Sequence, residues 1–353
     1  MRESRQEARA PERSRREGER SRRSISVGLL VVSLVIGLFI VARQPAEMPG
    51  RFPLIVDTDA GTDDLLALSY LLARPEIDIQ MVASVNGISH AEAGARNVLR
   101  LLRVANRRIP VYVGLDQPLE GRAAFPAEWR RLADEMEPLP PLMGRRVRPD
   151  AVNALLDRVR TSPSPVTILA LGPLTNIGEA IARDPRTMAG IEQLVIMGGA
   201  IDVAGNAPET DQSPVAEWNI YIDPTAASLV FRSGLPITLV PLDATNGVPI
   251  DRNFVKDFNA HQRSPLGITV SQLLDSAAAM IDSGAYFAWD PLAAVAVVDP
   301  TVIATRPLNV SVLRTGDQRG RLVAAPDDPN ANVAYKASAS VFKSSFFGAL
   351  THR

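Results

Sequence analysis

At 353 residues with 46% hydrophobic side chains, the chain is long enough for one large α/β domain or two smaller ones around a sizeable core. A net charge of -1 removes the electrostatic case for nucleic acid once the arginine-rich start is set aside. The absence of cysteine excludes disulfides, thiolate zinc sites, cysteine nucleophiles and a lipid-modified cysteine, and leaves the redox compartment open.

Residues 1–24 read as a basic tail in which arginines alternate with Glu3, Glu7, Glu12, Glu17 and Glu19 and almost nothing is apolar, a composition that predicts disorder. Ile25 to Ala42 is an uncharged apolar run at the short end of what crosses a bilayer, and the preceding arginines orient it with the tail in the cytoplasm. Ser21-Arg22-Arg23 hints at a twin-arginine signal, so a cleaved signal peptide and a secreted or periplasmic product is the alternative. Arg43, Gln44 and Pro45 follow Ala42 directly and offer no small-x-small cleavage site, so the expectation is an uncleaved membrane anchor with the rest of the chain extracytoplasmic. Residues 43–51, with two prolines and a glycine, form the linker to a folded domain over 52–353.

Within that domain short β-branched runs alternate with amphipathic stretches, which predicts an α/β fold: an open, mostly parallel, Rossmann-like sheet flanked by helices in a single domain. Strands are expected at Leu54 to Thr58, Ile79 to Val85, Val111 to Val113, Val166 to Leu171, Gln193 to Met197 and Ile237 to Pro241. Helices are expected at Asp63 to Leu72, Ala91 to Ala105, Asp150 to Arg160, Asn176 to Arg183 and Pro224 to Ser233, the last opened by Asp223 as N-cap and Pro224 at the first helical position. Gly121 to Pro149 is long, polar and proline-rich, and reads as a structureless binding loop or lid.

Ligands of open parallel sheets bind beyond the carboxyl ends of the strands. There the first strand runs into Asp57, Asp59, Asp63 and Asp64 around a glycine turn. Like charges packed so closely repel, and a hard, oxygen-loving divalent cation is the simplest compensation. The alternative, a helix dipole that attracts acids to its N-terminus, needs one or two carboxylates and not this many. Other strand ends carry Leu171-Gly172-Pro173-Leu174-Thr175-Asn176 and Met197-Gly198-Gly199, followed by Asn206, Glu217, Trp218 and Asn219. Trp289-Asp290-Pro291-Leu292 opens a later helix, where Asp290 taken alone reads as an N-cap.

Five ordered blocks, Asp57 to Asp64, Gly172 to Asn176, Ile196 to Gly199, Glu217 to Pro224 and Trp289 to Leu292, resemble the inosine-uridine-preferring nucleoside hydrolase family across nearly everything from Phe52 onward. The resemblance implies a Ca2+ enzyme that hydrolyses the N-glycosidic bond of ribonucleosides. It assigns the metal to Asp59, Asp64, Asp290 and the carbonyl of Leu171. It gives the ribose to Asp63, Asn206, Glu217 and Asn219, with Met197 lining the pocket. Asp59 is the expected base for the attacking water, Asn219 stands with it as a catalytic residue, and the transition state is expected to be oxocarbenium-like.

The pattern departs from the family twice. Asn86-Gly87-Ile88 replaces a Gly-Asn pair common in relatives, and Trp289 replaces a histidine that is a candidate acid for the departing base; none of His90, His261 and His352 lies in a family block. Trp289, together with Trp129 in the long loop, resembles the purine-preferring branch, in which two indoles sandwich the base. The Asn206 to Glu217 spacing resembles that branch too. A phosphohydrolase of the haloacid dehalogenase type fits less well, because Gly61 stands where that motif wants threonine or valine. An EF-hand fails because Leu68 occupies the twelfth loop position counted from Asp57. A tethered nucleoside-binding protein without turnover is the non-enzyme alternative, and the chain is expected to take a small ribonucleoside, possible homo-oligomers included.

Overall fold

A parallel sheet with helices on both faces must bury its strands from two sides, and β1 (Phe52–Thr58) shows it: Leu54, Ile55 and Val56 have no solvent exposure, although their side chains alternate between faces. The computed structural model describes residues 52–207 and 215–351. The tail, anchor and linker expected over 1–24, 25–42 and 43–51 lie outside the described residues, among which no helix is long and apolar enough to cross a membrane.

The other strands are β2 (Ile77–Ser84), β3 (Val111–Val113), β4 (Thr167–Ala170), β5 (Gln193–Met197), β6 (Ile237–Val240), β7 (Ile303–Val312), β8 (Leu322–Ala325) and β9 (Ala331–Ala337). They form one nine-stranded sheet in the order β3-β2-β1-β4-β5-β6-β9-β7-β8. From β3 to β9 neighbouring strands are parallel, whereas β7 pairs antiparallel with both β9 and β8. The chain winds outward from β1 through β2 to β3 and then returns to β4 on the other side of β1. The β1/β4 junction is therefore the topological switch point, where the loops after the two strands part and leave a crevice.

Helices of eight residues or more are α1 (Thr62–Leu72), α2 (Ala91–Val104), α3 (Ala127–Glu135), α4 (Ala151–Thr161), α5 (Thr175–Arg183), α6 (Pro224–Phe231), α7 (Arg252–His261), α8 (Pro265–Ser276), α9 (Trp289–Val298) and α10 (Ala339–Leu350). The six expected strands and five expected helices are all present, with ends displaced by no more than a few residues. One expectation is corrected. Gly121 to Pro149 is not structureless, because α3 forms inside it; α3 buries only Ala133, so its sequence carries no apolar stripe to read.

The packing of α1 on α9 sets up the site. Leu65, Leu66, Leu68 and Leu71 of α1 and Leu292, Ala293, Ala294 and Val295 of α9 are at most 1% exposed, and small residues along α9 allow the close approach. The two helix N-termini bring Asp63 and Asp64 from the first turn of α1 to Asp290 in the first turn of α9. The same core is closed by α10, whose Phe342 and Phe346 are fully buried among Tyr70, Phe254 and Phe258. Phe346→Ala removes the ring that joins these aromatics, and urea unfolding of the domain is expected to show a loss of about 3–5 kcal/mol; a loss below about 1 kcal/mol, the range of surface changes, would mean that α10 is not part of the cooperative core.

Candidate metal centre and active site

Asp59, Ala60 and Gly61 turn the chain from β1 into α1. Ala60 is buried in the left-handed region at φ 56°, a conformation that costs a side-chain-bearing residue energy and is retained here at the turn that aims the acids. The Thr58 hydroxyl accepts from the Ala60 N–H at 3.0 Å and donates to Asp64 Oδ1, while the Gly61 N–H donates to Asp64 Oδ2 at 3.0 Å. Both Asp64 oxygens are thus fixed by the turn itself. Asp59 accepts the Ile88 N–H at Oδ2, 2.8 Å away, and its backbone carbonyl accepts the Ser89 hydroxyl. The loop after β2 lies so close that a Cβ on Gly87 would stand 1.9 Å from Asp59 Oδ2, and one on Gly172 would stand 2.9 Å from the Asp59 nitrogen. Only glycine fits at either position.

Asp57 lies fully buried in β1 and accepts Asn176 Nδ2 at 2.8 Å. Asn176 also donates to the Ser84 carbonyl at 3.0 Å and accepts the Leu115 N–H at 2.9 Å, so one amide ties together the ends of β1 and β2 and the segment after β3.

Asp63, Asp64 and Asp290 each offer a carboxylate oxygen within 4.8 Å of the others, and Asp59 is in hydrogen-bonding contact with Asp64. The expected ligands Asp59, Asp64 and Asp290 are therefore together, with Asp63 as an additional member of the cluster. Among the described residues no ion pair involves any of these acids. Asp290 Oδ1 and Asp57 Oδ1 are buried and have no hydrogen-bond partner among the described residues. Burial first, and the charges of Asp59 and Asp63 next, push Asp63 and Asp64 respectively up to about 7. Burial, then the charge of Asp64, raises both Asp59 and Asp290 well above the usual carboxylate range, and burial pushes Asp57 up to about 8. A donor set made only of carboxylate oxygens, with one buried oxygen unpartnered and two helix N-termini unable to neutralise it alone, fits a hard divalent cation.

The short helix Trp218–Ile222 and its cap carry Glu217 and Asn219, two of the residues expected at the sugar. Glu217 caps it, accepting the N–H groups of Asn219 at 2.9 Å, Gly199 at 2.8 Å and Ile220 at 3.2 Å, and burial raises its pKa in spite of them. Asn219 Nδ2 donates to the Leu171 carbonyl at 2.8 Å and to the Met197 carbonyl at 3.2 Å, with Met197 Sδ at 3.6 Å. These bonds bring Asn219, Leu171 and Met197 together at the ends of β4 and β5 and leave the Asn219 carbonyl oxygen as the group it can offer a ligand. Asn206 Oδ1 accepts the Trp218 N–H at 3.1 Å. The loop between Asn206 and Glu217, whose length was read as a purine-branch feature, falls partly outside the described residues.

The two tryptophans pack on different aromatic neighbours. Trp289 is half-buried at the start of α9 against Tyr286 and Phe287, at ring distances of 5.3 and 6.1 Å. Trp129 on α3 packs edge-on against Trp218 at 6.0 Å, in a separate apolar cluster with Phe125 and Ile88. Ile88 supplies its backbone N–H to Asp59. His90 pairs with Asp134 and His261 with the Asp257 carbonyl, both on the surface, so neither serves the acid cluster. Sequence reasoning missed Tyr286, which belongs to no motif and is buried beside the acids.

Residues 54–344 match the family model for inosine-uridine preferring nucleoside hydrolases. The chain belongs to that family. A pyrimidine-specific ribonucleoside hydrolase RihA from Salmonella arizonae is 36% identical over 225 residues, covering 63% of this chain and 70% of that one. An uncharacterised Schizosaccharomyces pombe protein is 39% identical over 197 residues, which span 55% of this chain and 62% of the yeast protein. The purine-preferring ribonucleoside hydrolase from Gardnerella vaginalis superposes with a TM-score of 0.73 at 27% identity over 84% of this chain and 98% of that one, and a plant nucleoside hydrolase with 0.75 at 28% over 86% and 100%. This nucleoside hydrolase is an N-ribohydrolase by family, built as a single α/β domain. The family is known for a metal ion, and the acidic cluster at the switch point could hold one.

Because folding raises the pKa values of Asp57, Asp63 and Asp64 above their unfolded value near 3.8, the folded state binds protons more tightly than the unfolded one. That contribution is complete below about pH 4 and is lost as pH rises through 7 and 8. A cation held there would replace the protons and reverse the loss. Thermal melts of the chelated domain are expected to show a lower Tm at pH 8 than at pH 5, and added Ca2+ should raise Tm more at pH 8. An equal Ca2+ effect at both values would disconnect the cation from these carboxylates.

Proposed function

We propose that the chain is a Ca2+-dependent nucleoside hydrolase that cleaves ribonucleosides, purines preferentially, to free base and ribose. The observation that carries this reading is the convergence of Asp59, Asp63, Asp64 and Asp290 at the switch point, beside the amide of Asn219 and the carbonyl of Leu171. When bound, a Ca2+ ion supplies positive charge that lowers the pKa of a water and holds sugar hydroxyls. Asp59, Asp64, Asp290 and the Leu171 carbonyl would hold it; the Leu171 oxygen has a second lone pair beside its bond to Asn219.

Asp59 takes the proton of the attacking water, and the Ile88 N–H and the pressure of Gly87 keep its carboxylate in one orientation. Asp63 accepts a ribose hydroxyl, with Asn206, Glu217, Asn219 and Met197 around the rest of the sugar. As the glycosidic bond breaks, positive charge develops on the ring, and the carboxylates and the Asn219 carbonyl oxygen favour it more than they favour the neutral substrate.

At the base end Trp289 offers a half-buried indole face, and the histidines among the described residues, His90 and His261, are paired elsewhere on the surface. A purine suits that end, having a ring nitrogen that can be protonated and a broad face for stacking. The Gardnerella vaginalis relative is purine-preferring, whereas the pyrimidine-specific relatives of Salmonella and Shewanella, at 36% and 37% identity, favour the opposite preference. Trp129, packed edge-on against Trp218, is the second indole this purine reading calls on.

Base release from inosine, guanosine, adenosine, uridine and cytidine, with and without chelator, tests both parts. Purines are expected to be cleaved faster, chelation to abolish turnover, and Asp64→Ala or Asp290→Ala to lower kcat by roughly a thousandfold or more through loss of a charged ligand. Trp289→Ala should lower kcat as well as weaken KM; a change in KM alone would mean that the indole binds ground and transition states alike. Faster uridine cleavage would place the chain with its pyrimidine-specific relatives, and full activity after exhaustive chelation would end the metal reading.

A further inference from the structure

We propose that Tyr286 is a substrate-binding residue of this chain, its hydroxyl donating a hydrogen bond to a ribose hydroxyl at Asp63. This rests on the reading that the pocket takes a ribonucleoside. Tyr286 lies in the segment before α9, and its backbone is fixed: its carbonyl accepts the Ile250 N–H at 3.0 Å, the Ala288 N–H donates to the Val248 carbonyl at 2.9 Å, and Pro249 and Phe287 form an antiparallel bridge between these bonds. The ring is 4% exposed and stands edge-on to Trp289, at a centroid distance of 5.3 Å and an interplanar angle of 70°. The phenol is thereby held at one place and has little freedom to swing away.

Its hydroxyl is buried and has no hydrogen-bond partner among the described residues. Buried tyrosine hydroxyls ordinarily find one, and an apolar ring would fill the same space without exposing a polar atom to a partnerless site. The charged groups that act on it are Asp63 first, then Asp290 and Asp64. With burial, these carboxylates hold the phenol in its neutral form, so the hydroxyl is a donor. It is a buried donor without a partner of its own, held against Trp289 and four residues before Asp290. Of the three carboxylates, Asp64 and Asp290 are the ones assigned to the cation, which leaves Asp63 and the sugar it holds as the side on which a hydroxyl partner would arrive.

Tyr286→Phe tests the assignment, since it removes only the oxygen. The comparison is kcat and KM for the preferred ribonucleoside and its 2′-, 3′- and 5′-deoxy counterparts, with inhibition constants where turnover of a counterpart is too slow, together with Tm and Ca2+ affinity. For the ribonucleoside KM is expected to rise about tenfold, the size of one lost hydrogen bond, with a smaller change in kcat. For one of the deoxy counterparts the variant and the wild type should be equal, because the partner hydroxyl is already gone. Tm and Ca2+ affinity should not fall. An unchanged ribonucleoside KM, an equal penalty on every counterpart, or a weakened Ca2+ site would each overturn the proposal, the last by placing the hydroxyl at the metal. Absence of wild-type turnover on every ribonucleoside would instead overturn the proposed function.

Discussion

The constraint on which the rest of the structure depends is the cost of bringing carboxylates together away from water. Burial and mutual repulsion both disfavour charge on Asp59, Asp64 and Asp290, and among the described residues no ion pair reaches them. The fold nevertheless forces them together through ordinary packing: the apolar faces of α1 and α9 bury each other, and that contact brings two acidic first turns into one place. The strained turn at Ala60, the close approach of Gly87 and Gly172, and the Asn176 bonds across the strand ends all fix the geometry of the same acids. A structure that keeps such a cluster has its stability coupled to whatever neutralises it, protons or a cation.

The two ends of the pocket differ in how they are built. The sugar and metal end is made from strand ends and helix first turns, where main-chain bonds dictate position: Glu217 is held by three backbone N–H groups and Asn219 by two carbonyls. The base end, on the proposed reading, would draw on α3 in a long insertion and on the segment before α9, which lie outside the strands. Binding residues on such connecting segments change more readily than the scaffold beneath them. Relatives of this chain include both a pyrimidine-specific hydrolase and a purine-preferring one.

Much of this was legible in the sequence because the site lies where local patterns are strongest. The buried strands read as β-branched runs, and Asp57 to Asp64 stands out as acids beside an apolar strand and helix. The antiparallel edge was not assigned, since β7 mixes buried and exposed positions and carries Pro307. The helix α3 was missed because only Ala133 is buried. The partnering of Trp129 with Trp218 could not be read either, being a contact between residues 89 positions apart that no local period encodes. Ile88 stood out as a departure because its side chain is apolar, and its bond to Asp59 is made by its backbone, which residue type does not reveal. Tyr286 had no signal at all: one aromatic in a connecting segment acquires its meaning only from the acids that the fold sets beside it.

The most direct measurement is a calorimetric titration of the domain with Ca2+ near pH 7, repeated in buffers of different ionisation enthalpy so that proton release can be counted. If the buried carboxylates share protons until a cation replaces them, each Ca2+ bound should release about one proton or more, falling toward none well above pH 8. Binding of Ca2+ with no proton release at pH 7, or no binding at all, would contradict the claim that these acids are the cation site.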